Sequence, residues 1–186
     1  MALQRNNYRF TVRDYERMAE SGILEEDARV ELIEGEITVM SPIGARHAST
    51  VDRSDRALKR LLGDDYIVRI QGPILLDDFS EPQPDLAVLR FRDDYYAAGH
   101  PTPADILLVI EVAESSLQDD RTIKVPLYAR AGIPEVWLVD IKGEAIVRYS
   151  EPHEGKYRLA RRLRRGQYLT AATLPGLRLP VAAILG

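Results

Sequence analysis

The sequence predicts an α/β chain of α+β character: a mixed β-sheet flanked by helices, opened by an N-terminal β-hairpin. Three observations predict it. The run ILLVIEVA at 106–113 is nearly all apolar, as expected of a central strand covered on both faces. A helical pattern over 121–131, ended by Gly132 with Pro134 beyond, joins that run to the second apolar strand EVWLVD at 135–140. Before and after this strand–helix–strand unit, shorter alternating runs are joined by tight turns, which marks antiparallel pairs. With 186 residues, no repeat and no evident linker, the chain is expected to form one domain, 1–186.

Thr11 caps a first helix, with Asp14 three residues on and Val12, Tyr15 and Met18 at helical spacing; Gly22 ends it. In RVELIEGEITVM, Val30, Leu32, Ile37 and Val39 alternate with polar residues around Glu34-Gly35, a hairpin whose glycine supplies a positive φ. Ser41-Pro42 breaks the strand. A helix over 46–62 turns Val51, Leu58, Leu61 and Leu62 inward and Arg53, Arg56, Lys59 and Arg60 outward. YIVRIQ and PILLDD read as strands around Gly72-Pro73, followed by DLAVLRF at 85–91 and a polar loop over 92–105. AIVRYS and KYRLARRL form an antiparallel pair. The tail TLPGLRLPVAAIL is apolar and interrupted by prolines, and is expected to fold back onto the core.

Composition excludes several classes of function. There is no Cys, hence no disulfide, thiolate zinc site, iron–sulfur cluster or Cys nucleophile, which suits a cytoplasmic setting. Net charge is −4, so no whole-chain basic field draws in nucleic acid. The polar stretch Met1–Phe10 has no apolar core of a leader peptide, and no run of about 18 apolar residues could span a membrane. Glycine-rich dinucleotide and phosphate-loop motifs are absent, so no nucleotide cofactor is expected; G-x-S-x-G and H-E-x-x-H are absent too.

The chemistry concentrates on three residues. Glu111 interrupts the apolar run ILLVIEVA, and a carboxylate there is costly unless paired, hydrogen-bonded or metal-bound. Its structural alternative is an outward carboxylate at the strand end, or one paired with a buried Arg. Asp85 follows Pro84 at the head of LAVL; alone it is ordinary turn chemistry. If the two strands lie side by side, both carboxylates sit at one end, where a divalent cation relieves their repulsion. Lys124, on the following helix, is either a solvated helix lysine or an ammonium facing that pair.

Asp85 in QPDLAVL, Glu111 in IEVAESS, the block DRTIKVPLYARAGIPEVWLVD and the opening RVELIEGEITVMSP with His47 together resemble the Uma2 family of restriction-endonuclease-like proteins, within the PD-(D/E)XK nuclease superfamily. The resemblance runs from about Thr11 to Leu179. It implies a restriction-endonuclease-like core with the active site at one edge. It also implies catalytic Asp85, Glu111 and Lys124, with Glu31 and His47 at further family positions. The lysine of the superfamily motif would fall at 113, where this chain has Ala113; Lys124 fits the place that Uma2-like chains use instead. Asp85, Glu111 and the backbone carbonyl of Val112 are the implied ligands of Mg²⁺ or Mn²⁺. Asp120 and Tyr128 also lie in the matched block and read as a helix-terminal charge and a packing residue.

The activity implied is Mg²⁺-dependent hydrolysis of DNA phosphodiester bonds by a homodimer. Candidate DNA contacts are Arg53, Arg56, Lys59 and Arg60 on the second helix, and the run Arg158, Arg161, Arg162, Arg164 and Arg165, five arginines in eight residues. For either set the alternative is a solvated surface, the commoner state of a charge run, and on the predicted edge strand the arginine run also blocks aggregation. The rival readings are a nuclease-fold module that binds nucleic acid or a protein without cutting it, and a metal-dependent hydrolase of a small phosphate ester.

Overall fold

The computed structural model describes residues 7–25 and 27–186. Met1–Asn6, on which part of the leader-peptide expectation rests, lies outside the described residues. Helix α1 (Val12–Glu20) starts with a capping box: the Thr11 hydroxyl accepts from the Asp14 amide, and the Asp14 carboxylate accepts from the Thr11 amide. Strands β1 (Val30–Ile33) and β2 (Glu36–Val39) pair antiparallel through the two-residue turn Glu34-Gly35, both with positive φ. Helix α2 (Ala45–Leu62) comes next, burying Val51, Leu58 and Leu62. Leu61, expected inward, is 43% exposed in the last turn.

The main sheet has six strands: β3 (Tyr66–Ile70), β4 (Leu86–Arg90), β5 (Ile106–Ala113), β6 (Glu135–Asp140), β7 (Ala145–His153) and β8 (Lys156–Leu163), in that spatial order. All neighbours are antiparallel except β5 and β6. That one parallel pair needs a crossover, supplied by α3 (Leu117–Asp119), a π-helical turn (Asp120–Lys124) and α4 (Val125–Arg130). The crossover helix therefore begins four residues before the expected Arg121. PILLDD is not a ladder strand. Its Ile74 and Leu76 are buried, but its pairing is limited to an isolated bridge, Asp77 to Ser80. Prolines at 73, 82 and 84 remove the amides a full ladder requires.

Every residue of β5 and β6 is buried, so both sheet faces are covered. On one face Leu86, Val88, Ile110, Val112 and Trp137 pack beneath α2 and the C-terminal segment. On the other, Ala87, Val109, Ala113, Val136 and Leu138 meet Val125, Leu127 and Tyr128 of the crossover helix. The tail folds back as expected but is ordered: β9 (Tyr168–Ala171) and β10 (Leu174–Pro180) pair antiparallel, and α5 (Val181–Leu185) closes the chain. Strand alternation along β5 puts Glu111 on the face of Val109 and Ala113, beneath the crossover helix.

Candidate active site

Register brings the two acids together. In the β4–β5 ladder Leu86 faces Ile110 and Ala87 faces Val109. One step further, Asp85 lies across from Glu111, a position where Cβ atoms of facing residues are about 5 Å apart. The Val112 amide donates to Asp85 Oδ2 at 2.8 Å, which ties the carboxylate to the end of β5. Both acids border one cleft of about 120 Å³, with Glu31, His47, Asp120 and Lys124 around them.

Glu111 is 2% exposed, yet among the described residues no arginine neutralises it. The Tyr128 hydroxyl donates to Oε1 at 2.5 Å, and the Lys124 Nζ approaches the same oxygen at 3.5 Å. Among the described residues no hydrogen bond reaches Oε2. Burial pushes the Glu111 carboxyl up to about 8; Asp120 and Asp85 add to the rise, while Lys124 and Tyr128 oppose it. A buried carboxylate elsewhere in the fold shows what full structural pairing looks like. Glu135 accepts from Arg148 through both oxygens, at 2.9 and 3.0 Å, and from the Trp137 indole at 2.6 Å.

Lys124 stands between two acids. Its Nζ is 3.0 Å from Glu31 Oε2 and 3.5 Å from Glu111 Oε1. Burial pulls the ammonium pKa down, but Glu111, Glu31 and Asp120 outweigh it and hold the group above the ordinary lysine range. The group is thus charged at neutral pH. Glu31, on β1, is buried and also accepts from the Gln83 amide at 3.1 Å. The hairpin therefore delivers an acid to a site built mainly by the central sheet. Asp120 opens the π turn; burial raises its carboxyl, which accepts from the Ser116 hydroxyl at 2.7 Å. Neither it nor Tyr128 is merely a helix residue: both charge or bond the Glu111–Lys124 pair. The only sequence signal was their place in the matched block.

His47, in the first turn of α2, sets Nε2 3.1 Å from each carboxylate oxygen of Asp85. That hydrogen bond raises the imidazole pKa against the opposing effect of burial. Its Nδ1 is buried without a partner among the described residues. Gln71 reaches Asp85 Oδ1 more loosely, at 3.4 Å.

The basic residues do not gather at this cleft. Arg162 bonds Asp140 at 3.2 Å, Arg164 the Gly143 carbonyl at 3.3 Å, and Arg165 reaches Glu144 at 3.4 Å, so three arginines of the run clasp the β6–β7 turn. Lys59 pairs with Asp55. Arg53, expected outward, is half-buried and donates to the Ile184 carbonyl at 2.9 Å. Arg56, Arg60 and Arg161 are exposed, with no ion pair among the described residues.

Among the described residues no three His, Asp or Glu side chains form a ready metal cage. The donor set is two hard carboxylates facing across a strand pair, with Glu111 Oε2 uncommitted. A small divalent cation suits such a pair when water and phosphate oxygens complete its shell. The residues present fit Mg²⁺ or Mn²⁺ in that sense.

Comparisons with known proteins agree with this architecture. The family model described as "Putative restriction endonuclease" and called Uma2 matches residues 12–182. No curated protein matches the chain. A solved structure of a "putative nuclease belonging to DUF820" from Anabaena variabilis shares the fold, with a TM-score of 0.74 at 14% identity over 95% of this chain and 97% of that one. With the family model spanning nearly the whole length, the chain belongs to the Uma2 family.

Proposed function

We propose that the chain is a Mg²⁺- or Mn²⁺-dependent endonuclease that hydrolyses DNA phosphodiester bonds. The supporting observation is that Asp85 and Glu111 face each other across β4 and β5 in one cleft, with Lys124 at 3.5 Å from Glu111. Asp85 and Glu111 would hold the ion. The Val112 carbonyl is a further donor, because the N–H and C=O of one strand residue share an edge and this N–H meets Asp85. Such an ion, when bound, polarises the phosphate and lowers the pKa of water.

The chain's own groups do the rest. Lys124 is a fixed ammonium and not a base; it offsets charge gathering on the phosphate and orients the attacking water. Glu31 holds that amine from behind. Tyr128 pins one oxygen of Glu111 and so fixes the direction of the other. His47 orients Asp85. The products would carry 5′-phosphate and 3′-hydroxyl ends, as the superfamily resemblance implies. Cutting both strands calls for two such sites, hence a homodimer.

A second reading, binding without cutting, draws on Lys124, whose ammonium is already held by Glu31 at 3.0 Å, and on the absence of a lysine at Ala113. Nicking of supercoiled plasmid and of single-stranded DNA with Mg²⁺ or Mn²⁺ decides between them. Wild type should nick. Asp85→Asn, which keeps an acceptor for the Val112 amide, and Asp85→Ala should not. Nicking that persists in both variants would expose contamination. Retained DNA binding with no nicking by wild type would support the binding module.

A further inference from the structure

Helix α2 borders two clefts with adjacent faces. His47 faces the catalytic one. Arg46, Ser49, Thr50 and Arg53, spaced three, four and seven residues apart, share a second face. Together with Glu144 from the β6–β7 turn and Arg165 after β8, that face borders a separate cleft of about 240 Å³. Three guanidiniums there oppose one bordering carboxylate. Glu144 meets Arg165 at 3.4 Å, and Arg46 reaches Glu114, outside the cleft, only at 3.8 Å. Arg53 has no acid partner among the described residues. Its plane is nonetheless fixed, by Nε to the Ile184 carbonyl at 2.9 Å and Nη2 to the Thr50 hydroxyl at 3.0 Å. The Ser49 and Thr50 hydroxyls donate to the Arg46 carbonyl and so hold the turn, while a half-buried, oriented guanidinium with no acid partner suits a phosphate oxygen better than a point charge would.

We propose that this cleft holds a backbone phosphodiester of the same DNA strand whose scissile phosphate lies between Asp85 and Glu111. The inference rests on the endonuclease reading and names how that site grips its substrate. The first turn of α2 borders both clefts, so a strand leaving one meets the other. Among the described residues no aromatic ring borders the second cleft to stack on a base, and its guanidiniums are the groups that most often meet phosphate oxygens. The contact is with the backbone and is independent of sequence. It also answers how a chain of net charge −4 holds a polyanion: the positive charge is local and built into a helix face.

The test is fluorescence anisotropy with a labelled duplex oligonucleotide, the full chain and EDTA to prevent cleavage, titrated between about 50 and 200 mM salt. Arg46→Gln and Arg165→Gln are compared with Arg13→Gln, which removes one charge from the exposed face of α1, away from both clefts. Each cleft variant should weaken binding about tenfold. Each should also flatten the log–log salt slope by about one unit, equally for unrelated sequences. Arg13→Gln should leave both unchanged. Arg53→Gln is added with a thermal melt, since it also anchors α5. An unchanged affinity and slope in Arg46→Gln and Arg165→Gln, with wild type binding and nicking DNA, overturns the cleft assignment alone. If inorganic phosphate binds the wild type through these arginines while oligonucleotide affinity ignores them, the site is for a free anion and the proposal fails. Absence of both binding and nicking by wild type overturns the endonuclease reading and this inference with it.

Discussion

Replacing Tyr128 by Phe removes one oxygen atom, and the consequence falls on Glu111. The 2.5 Å bond to Oε1 is the shortest contact that carboxylate makes, and its loss leaves Lys124 as the remaining partner. Tyr128→Phe should cost about 1 kcal/mol of stability and lower the nicking rate about tenfold or more, as thermal melts and plasmid assays at equal protein would show. Glu81 offers a case free of catalysis. It is buried, its Oε2 has no partner among the described residues, and burial with Glu16 nearby pushes its carboxyl up to about 7. A carboxyl raised above its unfolded value favours the protonated fold, so stability falls as pH climbs from about 4.5 towards 7. Glu81→Gln should therefore stabilise by about 1 kcal/mol at about pH 8, after allowance for partial solvent screening, and by almost nothing near pH 4. Urea melts at the two pH values would show it. His47 has the same sign in a higher window: its raised imidazole contributes stability that is fully present below about 6.5 and is lost as pH rises through its folded pKa.

At the scale of elements, Arg148 on β7 does the work of a rivet. It grips Glu135 on β6 through two bonds and reaches Thr170 on β9 at 3.5 Å, joining main sheet to tail. Arg148→Met would leave a buried carboxylate with the indole of Trp137 and a distant Ala172 amide; a loss of about 3–5 kcal/mol is expected by denaturant unfolding, partly recovered in the double variant with Glu135→Gln. Such elements also show what could be read in advance. The Glu34-Gly35 hairpin, β5 and the β5–helix–β6 unit were legible because turn chemistry and hydrophobic period are local. The π turn was not. It arises where the crossover helix must present Asp120, Lys124 and Tyr128 together to Glu111, a demand set by the sheet and not by the residues of the turn. The β9–β10 hairpin was likewise obscured, because Pro175 and Gly176 break its alternation and its pairing slips between Leu174 and Leu179.

For the molecule as a whole, the two acids could be named from the sequence, and their meeting was expected there only on the condition that their strands lie side by side. Glu111 stood out as a charge in an apolar run, and Asp85 by its place before a strand. Their convergence depends on β4 being antiparallel to β5 at one particular offset, which no local pattern encodes. Glu31 depends on a still longer connection, since the hairpin docks through an isolated bridge from Leu32 to Glu81. If a divalent ion binds the native acids and not the unfolded chain, excess Mg²⁺ or Mn²⁺ should raise the melting temperature, by about 2.7 kcal/mol of stability at a hundredfold excess over Kd. EDTA should reverse the gain, and Asp85→Asn should abolish it; scanning calorimetry measures all three.

The amide of Val112 is spent on Asp85, so its proton is a spy placed inside the proposed catalytic centre. Deuterium uptake at that single position should quicken in Asp85→Ala while neighbouring amides of the same strand keep their slow exchange. Whether the pairing of Asp85 with the end of β5 opens separately from the surrounding sheet could thus be timed in solution without any DNA present.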